Sequence, residues 1–351
     1  SKKLGLKLIP TETNLVKSIK TMKIVKKKNN SFYVLDKSIS GESSYKKIIN
    51  LRKKLVDYNV DIMFVTSSEN IAWLLNIRGA DSDYSPIPNC FLIIDKNMNV
   101  FLFSDLKKIN IKFKKNLNFV NIHGVELLES FVKKITNKKF LIDKFTCSIF
   151  YKNIIEKKNF ITKDLDPIYY LKSQKNNIEI NNTKKIHEFD GAALTKFLFW
   201  LKNNFKNKKI TEINAQEKLL DFRKVNKTFK SLSFPTISGS GPNGAIIHYK
   251  ANEKTNRVLK KGDIYLVDSG GQYSYGTTDV TRTLSLDNKN KKVKEIFTRV
   301  LKGHIAVSNY SLQKNTSGKN LDFVARKALK EIDFLLFQAS LLIHLRIYRC
   351  K

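Results

Sequence analysis

The chain has 351 residues, 42% hydrophobic and 11% aromatic, and its 65 Lys and Arg against 31 Asp and Glu give a formal net charge of +34. That apolar content excludes a wholly disordered chain, the length suits about two domains, and no apolar run of about 18 residues exists to span a membrane as a helix. The charge argues against nucleic acid as a partner, because only nine of the 65 cations are Arg, the side chain that forks onto phosphate and reads base edges. The lysines are scattered among Asn and Ile, as in Lys26-Lys27-Lys28-Asn29-Asn30, which reads as compositional drift onto solvated surface.

Residues 1–41 carry a short strand at Leu6-Lys7-Leu8-Ile9-Pro10, a helix-like stretch near 13–25 and a polar tail, too little to close a core. From Ser43 a regular α/β pattern begins. Tyr45, Ile48, Ile49, Leu51, Leu55 and Val56 are spaced as an amphipathic helix over 44–58, followed by a buried strand at 61–66 and a short helix around 71–75. Cys90–Ile94 and Val100–Phe103 flank a polar pentapeptide as a hairpin, and a helix (125–136), a strand (140–142) and a helix (146–156) close the unit before Asp166-Pro167. Strands alternating with helices predict a compact α/β domain. A long helix follows over 176–206, then a second from Asn214, where Asn214-Ala215-Gln216-Glu217 fits a capping box, to about 225. Strands are predicted at 234–238, 245–249, 264–268 and 278–284, with a glycine turn at 239–244, and helices at 291–308 and 319–332.

The last twenty residues break the pattern. No Lys stands between Lys330 and Lys351, while Arg346, Arg349 and Cys350 crowd the final positions. Residues 333–351 are therefore expected to be an atypical tail outside the native coding frame, with an ordinary terminal helix as the alternative. Three cysteines (Cys90, Cys147, Cys350), odd in number and far apart, suggest neither a disulfide framework nor a zinc knuckle, and Ser-Lys-Lys-Leu-Gly-Leu at the start lacks the apolar core of a signal peptide. A reducing, cytoplasmic compartment is expected.

The chemistry concentrates in Asp268-Ser-Gly-Gly-Gln-Tyr-Ser-Tyr-Gly-Thr-Thr-Asp279. A hairpin turning at Tyr273-Ser274 would set Asp268 directly opposite Asp279, with Cβ atoms about 5 Å apart. Flanking Ile264, Leu266, Val267 and Val280 imply burial, and two buried like charges need something positive between them. Hard carboxylate oxygens would suit one or two divalent cations. Turn aspartates bonded to backbone or to Arg282 are the alternative. His248 follows an apolar stretch and reads first as a packed structural histidine, and Arg78 with Asp81 reads at least as well as a plain salt bridge. The Gly239-Ser-Gly-Pro-Asn-Gly244 loop lacks the Gly-Lys-Ser/Thr of a phosphate loop.

Residues 239–249 (Gly-Ser-Gly-Pro-Asn-Gly-Ala-Ile-Ile-His-Tyr), 267–273 (Val-Asp-Ser-Gly-Gly-Gln-Tyr) and 276–283 (Gly-Thr-Thr-Asp-Val-Thr-Arg-Thr) closely resemble the aminopeptidase P family, the three-domain Xaa-Pro aminopeptidases. Asn70–Gly79 with Asp81, and Phe297–Ser308, agree. The resemblance implies an α/β (α+β) chain: 1–41 as the tail of a first creatinase-like domain, 42–173 as a second creatinase-like domain, and 174–332 as an incomplete pita-bread metallopeptidase domain. It implies removal of the N-terminal residue from peptides with proline second, by attack of a metal-bound hydroxide. The implied cofactors are two divalent metal ions, typically Mn²⁺, with Asp268 and Asp279 as ligands. His248 is implied as a catalytic and substrate-binding residue, and Arg78 as a substrate-binding residue at the entrance. A homodimer is implied, without membrane or nucleic acid.

Three of the family's five metal ligands, a histidine and two glutamates, have no counterpart here, so the chain as written is expected to be inactive. Two other readings stay open: a prolidase- or creatinase-like activity, or a non-catalytic pita-bread protein that binds RNA or ribosomes.

Overall fold

The computed structural model describes Thr11 and residues 30–313 and 315–332. The strand expected at Leu6–Pro10, the helix near 13–25 and the tail 333–351 lie outside these residues.

The N-terminal half runs β1 (Tyr33–Val34), α1 (Lys37–Ser40), α2 (Ser44–Asp57), β2 (Ile62–Val65), α3 (Ser68–Leu74), β3 (Ile77–Arg78), β4 (Cys90–Asp95), β5 (Val100–Ser104), α4 (Ile111–Asn116), β6 (Val120–Gly124), α5 (Leu128–Lys134), β7 (Lys139–Asp143), α6 (Ile149–Glu156), β8 (Phe160–Asp164) and α7 (Ile168–Ser173). Six strands form one sheet in the order β6-β5-β4-β2-β7-β8. The β4 strand runs antiparallel to both neighbours, whereas β5/β6, β2/β7 and β7/β8 are parallel.

All four residues of β2 are buried because the sheet is covered on both faces. Met63 and Val65 join one core with Leu92, Ile94 and Leu141, while Ile62 and Phe64 join the opposite core with Ile93, Phe140 and Ile142. The alternation of a strand thus feeds two layers. Each fully buried side chain such as Phe64 contributes about 1.5–3 kcal/mol. Helix α2 starts where the Ser43 side chain accepts from Lys46 N, and it turns Ile48, Leu51 and Leu55 inward. The outer strands β6 and β8 were not anticipated from sequence. Phe160 of β8 is 69% exposed, so the strand lacks the apolar alternation that marks an inner one.

A buried polar knot ties α3 to α7. Asn70 Nδ2 donates to Asp166 Oδ2 at 2.7 Å, and Lys172 Nζ donates to Asn70 Oδ1 at 2.6 Å. Burial pushes the Asp166 carboxyl up to about 6, against the pull of Asn70 and of the Ile168 amide. The folded state therefore holds this proton more tightly than the unfolded chain. Between about pH 4 and pH 6 the stability gained by protonation is lost as pH rises, to a total of about 3 kcal/mol. Asp166→Asn is expected to remove that part of the pH dependence in urea titrations.

The C-terminal half runs α8 (Asn177–Asn204), α9 (Glu212–Lys224), β9 (Phe229–Leu232), β10 (Ile237–Ser240), β11 (Ile264–Ser269), β12 (Gly271–Tyr273), β13 (Gly276–Thr277), β14 (Val280–Ser285), α10 (Lys291–Ser308) and α11 (Gly318–Lys330). Two three-stranded sheets are present, β10-β11-β14 and β13-β12-β9. The β10-β11-β14 sheet packs on α8 and α9 through Leu194, Phe197, Leu201, Leu219, Tyr265 and Val267. The N-cap of α9 lies three residues before the expected one. Thr211, not Asn214, is the N-cap, and Asn214 closes the box from the third helical position. The strand expected over 245–249 is absent, since residues 241–245 form a 3-10 turn and 246–248 a bend and turn. No helix among the described residues is long and apolar enough to cross a membrane.

Candidate functional site

The Asp268–Asp279 segment folds back as expected, but in another register. Asp268 pairs with Thr281, Ser269 with Val280 and Tyr273 with Gly276. The reversal therefore falls at Ser274-Tyr275, one residue later than the sequence reading placed it. Asp268 does not face Asp279. Asp279 stands two residues before Thr281 on the return arm, in the short link between β13 and β14. Asp268 is 4% exposed in the middle strand of its sheet, flanked by β10 and β14. Asp279 is half-buried. The exposed Arg282 donates to the Thr281 carbonyl at 2.8 Å.

Gly270 makes this bend possible. A Cβ there would overlap the Thr278 carbonyl oxygen and the Ser233 hydroxyl. Ser233 Oγ donates to Thr278 O at 2.8 Å and Thr278 N to Gly271 O at 2.9 Å, so the two arms are drawn together beside the aspartates. Gly270→Ala is expected to cost about 1–3 kcal/mol, because backbone cannot retreat as a flexible side chain would. Urea midpoints check this, with Gly191→Ala on α8, where nothing lies within 4 Å, as a neutral-to-stabilising control.

Beneath the hairpin lies a buried ion pair that the sequence reading missed. Arg223, 0% exposed, donates Nε to Asp190 Oδ1 at 2.7 Å and Nη2 to Asp190 Oδ2 at 3.0 Å. The same Nη2 reaches Ser269 Oγ at 3.0 Å, and Tyr273 donates its hydroxyl to Asp190 at 2.5 Å. Burial and the Asp190 carboxylate push the Tyr273 hydroxyl well above its usual range. One signal was available. Asp190 falls on the apolar stripe Ile186, Ala193, Leu194, Phe197 and Leu201, and Arg223 on the stripe Ala215 and Leu219. A charge inside a buried stripe implies a buried partner.

The other expected site residues are dispersed. His248 is exposed, at a turn with φ +54°. Arg78 and Asp81 are not paired with each other: Arg78 Nη1 donates to the Ala72 and Ile77 carbonyls at 3.1 and 2.9 Å, whereas Asp81 forms a buried ion pair with Lys108. Arg78 does meet the hairpin. It lines a cleft of ≈ 570 Å³ with Trp73, Glu179 and the hairpin tip from Gln272 to Thr277. Gln272 Nε2 fixes the tip to the N-terminal half by donating to Tyr84 O at 2.8 Å.

Carboxylate oxygens are the donors a hard divalent cation takes, so Asp268 and Asp279 fit one by chemistry. The fit is partial, because among the described residues no group of three or more His, Cys, Asp or Glu could hold a metal ion.

Comparison with known proteins agrees with this architecture. Residues 25–179 match the creatinase/prolidase N-terminal domain, and residues 181–345 match metallopeptidase family M24. The chain thus carries a creatinase-type N-terminal domain followed by an M24 peptidase domain, and its sequence similarity there is to the Xaa-Pro aminopeptidases. It is 36% identical over 307 residues to Xaa-Pro aminopeptidase 1 of Dictyostelium discoideum, covering 86% of this chain and 48% of that protein. It is 34% identical over 335 residues to Xaa-Pro aminopeptidase ApepP of Drosophila melanogaster, covering 93% and 54%. The crystal structure of X-prolyl aminopeptidase from Caenorhabditis elegans, described as a cytosolic enzyme with a di-nuclear active site, superposes with a TM-score of 0.86 at 31% identity, covering 94% of this chain and 55% of that one. The chain spans about half the length of these relatives.

Proposed function

We propose that this chain serves metal-dependent removal of the N-terminal residue from peptides whose second residue is proline. The observation that supports this most is the hairpin: a carboxylate 4% exposed in a central strand, with a second on the return arm, in a chain 34–36% identical to Xaa-Pro aminopeptidases. Asp268 and Asp279 would hold two divalent ions, Mn²⁺ by the family resemblance. Bound cations of this kind supply Lewis-acid polarisation of the scissile carbonyl and a water of lowered pKa. The chain's own residues orient the peptide. His248 presents an exposed ring toward the proline side or the scissile bond, and Arg78 presents charge at the cleft beside the hairpin tip. A cytosolic location and a homodimer belong to the same reading.

With two carboxylate donors, metal affinity should be weak, because affinity follows ligand count and preorganisation. We therefore propose that the 351-residue chain alone is inactive. The chain supplied with Mn²⁺ is expected to release arginine from an Arg-Pro-Pro peptide no faster than buffer does. Turnover that Asp268→Ala abolishes would overturn the inactivity. The activity itself is tested by reading the DNA beyond codon 332 in all three frames. A histidine and two glutamates in family context support the peptidase. Their replacement would favour a non-catalytic binding protein.

A further inference from the structure

The loop that carries His248 is organised around one buried carboxylate. Glu212, the first residue of α9, is 0% exposed. Its Oε1 accepts from Ser240 N at 2.7 Å and Asn243 Nδ2 at 3.1 Å. Its Oε2 accepts from the Tyr249 hydroxyl at 2.8 Å, from Arg257 N at 3.0 Å and again from Asn243 Nδ2 at 3.1 Å. The Glu212 backbone is itself tied down, its N donating to Arg257 O at 3.0 Å and its O accepting from Ser238 Oγ at 2.8 Å.

These partners bracket the loop. Ser240 and Asn243 stand before its crest, and Tyr249 and Arg257 after it. Between the anchors, Ala245, Ile246, Ile247 and His248 are all exposed, with Ile246 at 52% and Ile247 at 48%. An apolar run in solvent has no packing of its own to fix its shape. His248 also holds φ +54°, a conformation that a non-glycine residue keeps only where its surroundings impose it. The imposed restraint is at the next residue, since Tyr249 is 6% exposed and bonded through its hydroxyl to Glu212. The carboxylate itself is stabilised by these donors and by the positive end of α9.

We propose that Glu212 is a positioning residue for His248: by gripping both flanks of the loop, it sets where the His248 ring is presented. The functional consequence rests on the reading of His248 as a substrate-site residue, but the positioning does not.

The experiment follows the ring signals of the five histidines by NMR in the full chain, with His248→Gln identifying the signal of interest. Glu212→Gln keeps the shape and removes the charge together with one acceptor oxygen. It is expected to shift the His248 signal and leave His123 and His187 in place. Tyr249→Phe, which removes a single donor and leaves the carboxylate intact, should shift it less and serves if Glu212→Gln does not fold. Leu219→Ala weakens the buried face of the same helix without touching the loop, and should leave His248 unmoved. An unmoved His248 signal in a folded Glu212→Gln or Tyr249→Phe, or an equal shift in Leu219→Ala, overturns the proposal. Titration with the dipeptide Ala-Pro separates the two readings. If wild-type His248 ignores the dipeptide while Glu212→Gln still shifts the ring, the substrate role of His248 fails and the positioning role stands.

Discussion

Arg223→Ala is expected to destabilise the C-terminal half by about 3–5 kcal/mol, the loss typical when one member of a buried ion pair is removed. The substitution leaves Asp190 buried with the Tyr273 hydroxyl still donating to it, and it frees Ser269 beside the first aspartate of the hairpin. Arg223→Lys should fall between, because an ammonium cannot make the paired Nε and Nη2 bonds that the guanidinium makes. The pair is not an efficient route to stability. Among the described residues, none accepts a hydrogen bond from the buried Arg223 Nη1, a cost of about 1–3 kcal/mol. Replacing both members with apolar residues of similar volume is accordingly expected to cost far less than Arg223→Ala alone. Urea unfolding of the two single variants and the double variant measures all three values.

The second large effect concerns Asp268. A carboxylate 4% exposed in the middle of a sheet is expensive to keep charged unless it is partnered, and a divalent cation is the partner proposed above. On the metal reading proposed above, Asp268→Asn is expected to abolish the rise in melting temperature expected of wild type in millimolar Mn²⁺. Asp279→Asn, at a half-buried position, should weaken the response and change the metal-free stability little. Thermal unfolding with and without Mn²⁺ checks both. A full Mn²⁺ response in Asp268→Asn would remove this residue from the metal site.

Most inner elements were legible in the sequence because their apolar spacing is strong: α2, β2, the β4/β5 pair, α8 and α10 stand within a few residues of expectation. Three features were not, each for a different physical reason. The hairpin register depends on which of Tyr273-Ser274 and Ser274-Tyr275 makes the turn, and neither carries the Asn or Gly that would decide it. The stretch Ala245–Tyr249 has the apolar content of a strand, but Tyr249 and Asn243 are bonded to Glu212, and this tertiary restraint overrides local propensity. Glu212, Asp190 and Arg223 look like solvated charges on amphipathic helices until their positions on the buried stripe are marked. Of the candidate site, sequence supplied the two aspartates and Arg78 at the cleft, while the residues that hold them in place came from the structure.

Helix α8 has a mechanical consequence. Its 28 residues make a rod about 42 Å long at 1.5 Å per residue. At one end it is fastened to the N-terminal half: Asn176 and Asn182 donate to the Ser40 and Ile39 carbonyls, and Glu179 accepts from Trp73. Further along, Ile186 abuts Gly276 at the hairpin tip and Asp190 grips Arg223. One stiff strut therefore carries load from the creatinase-type domain to the floor of the metallopeptidase hairpin. Calorimetry is expected to record the two domains melting in a single transition, and a tilt of one cannot occur without torque on the aspartates of the other.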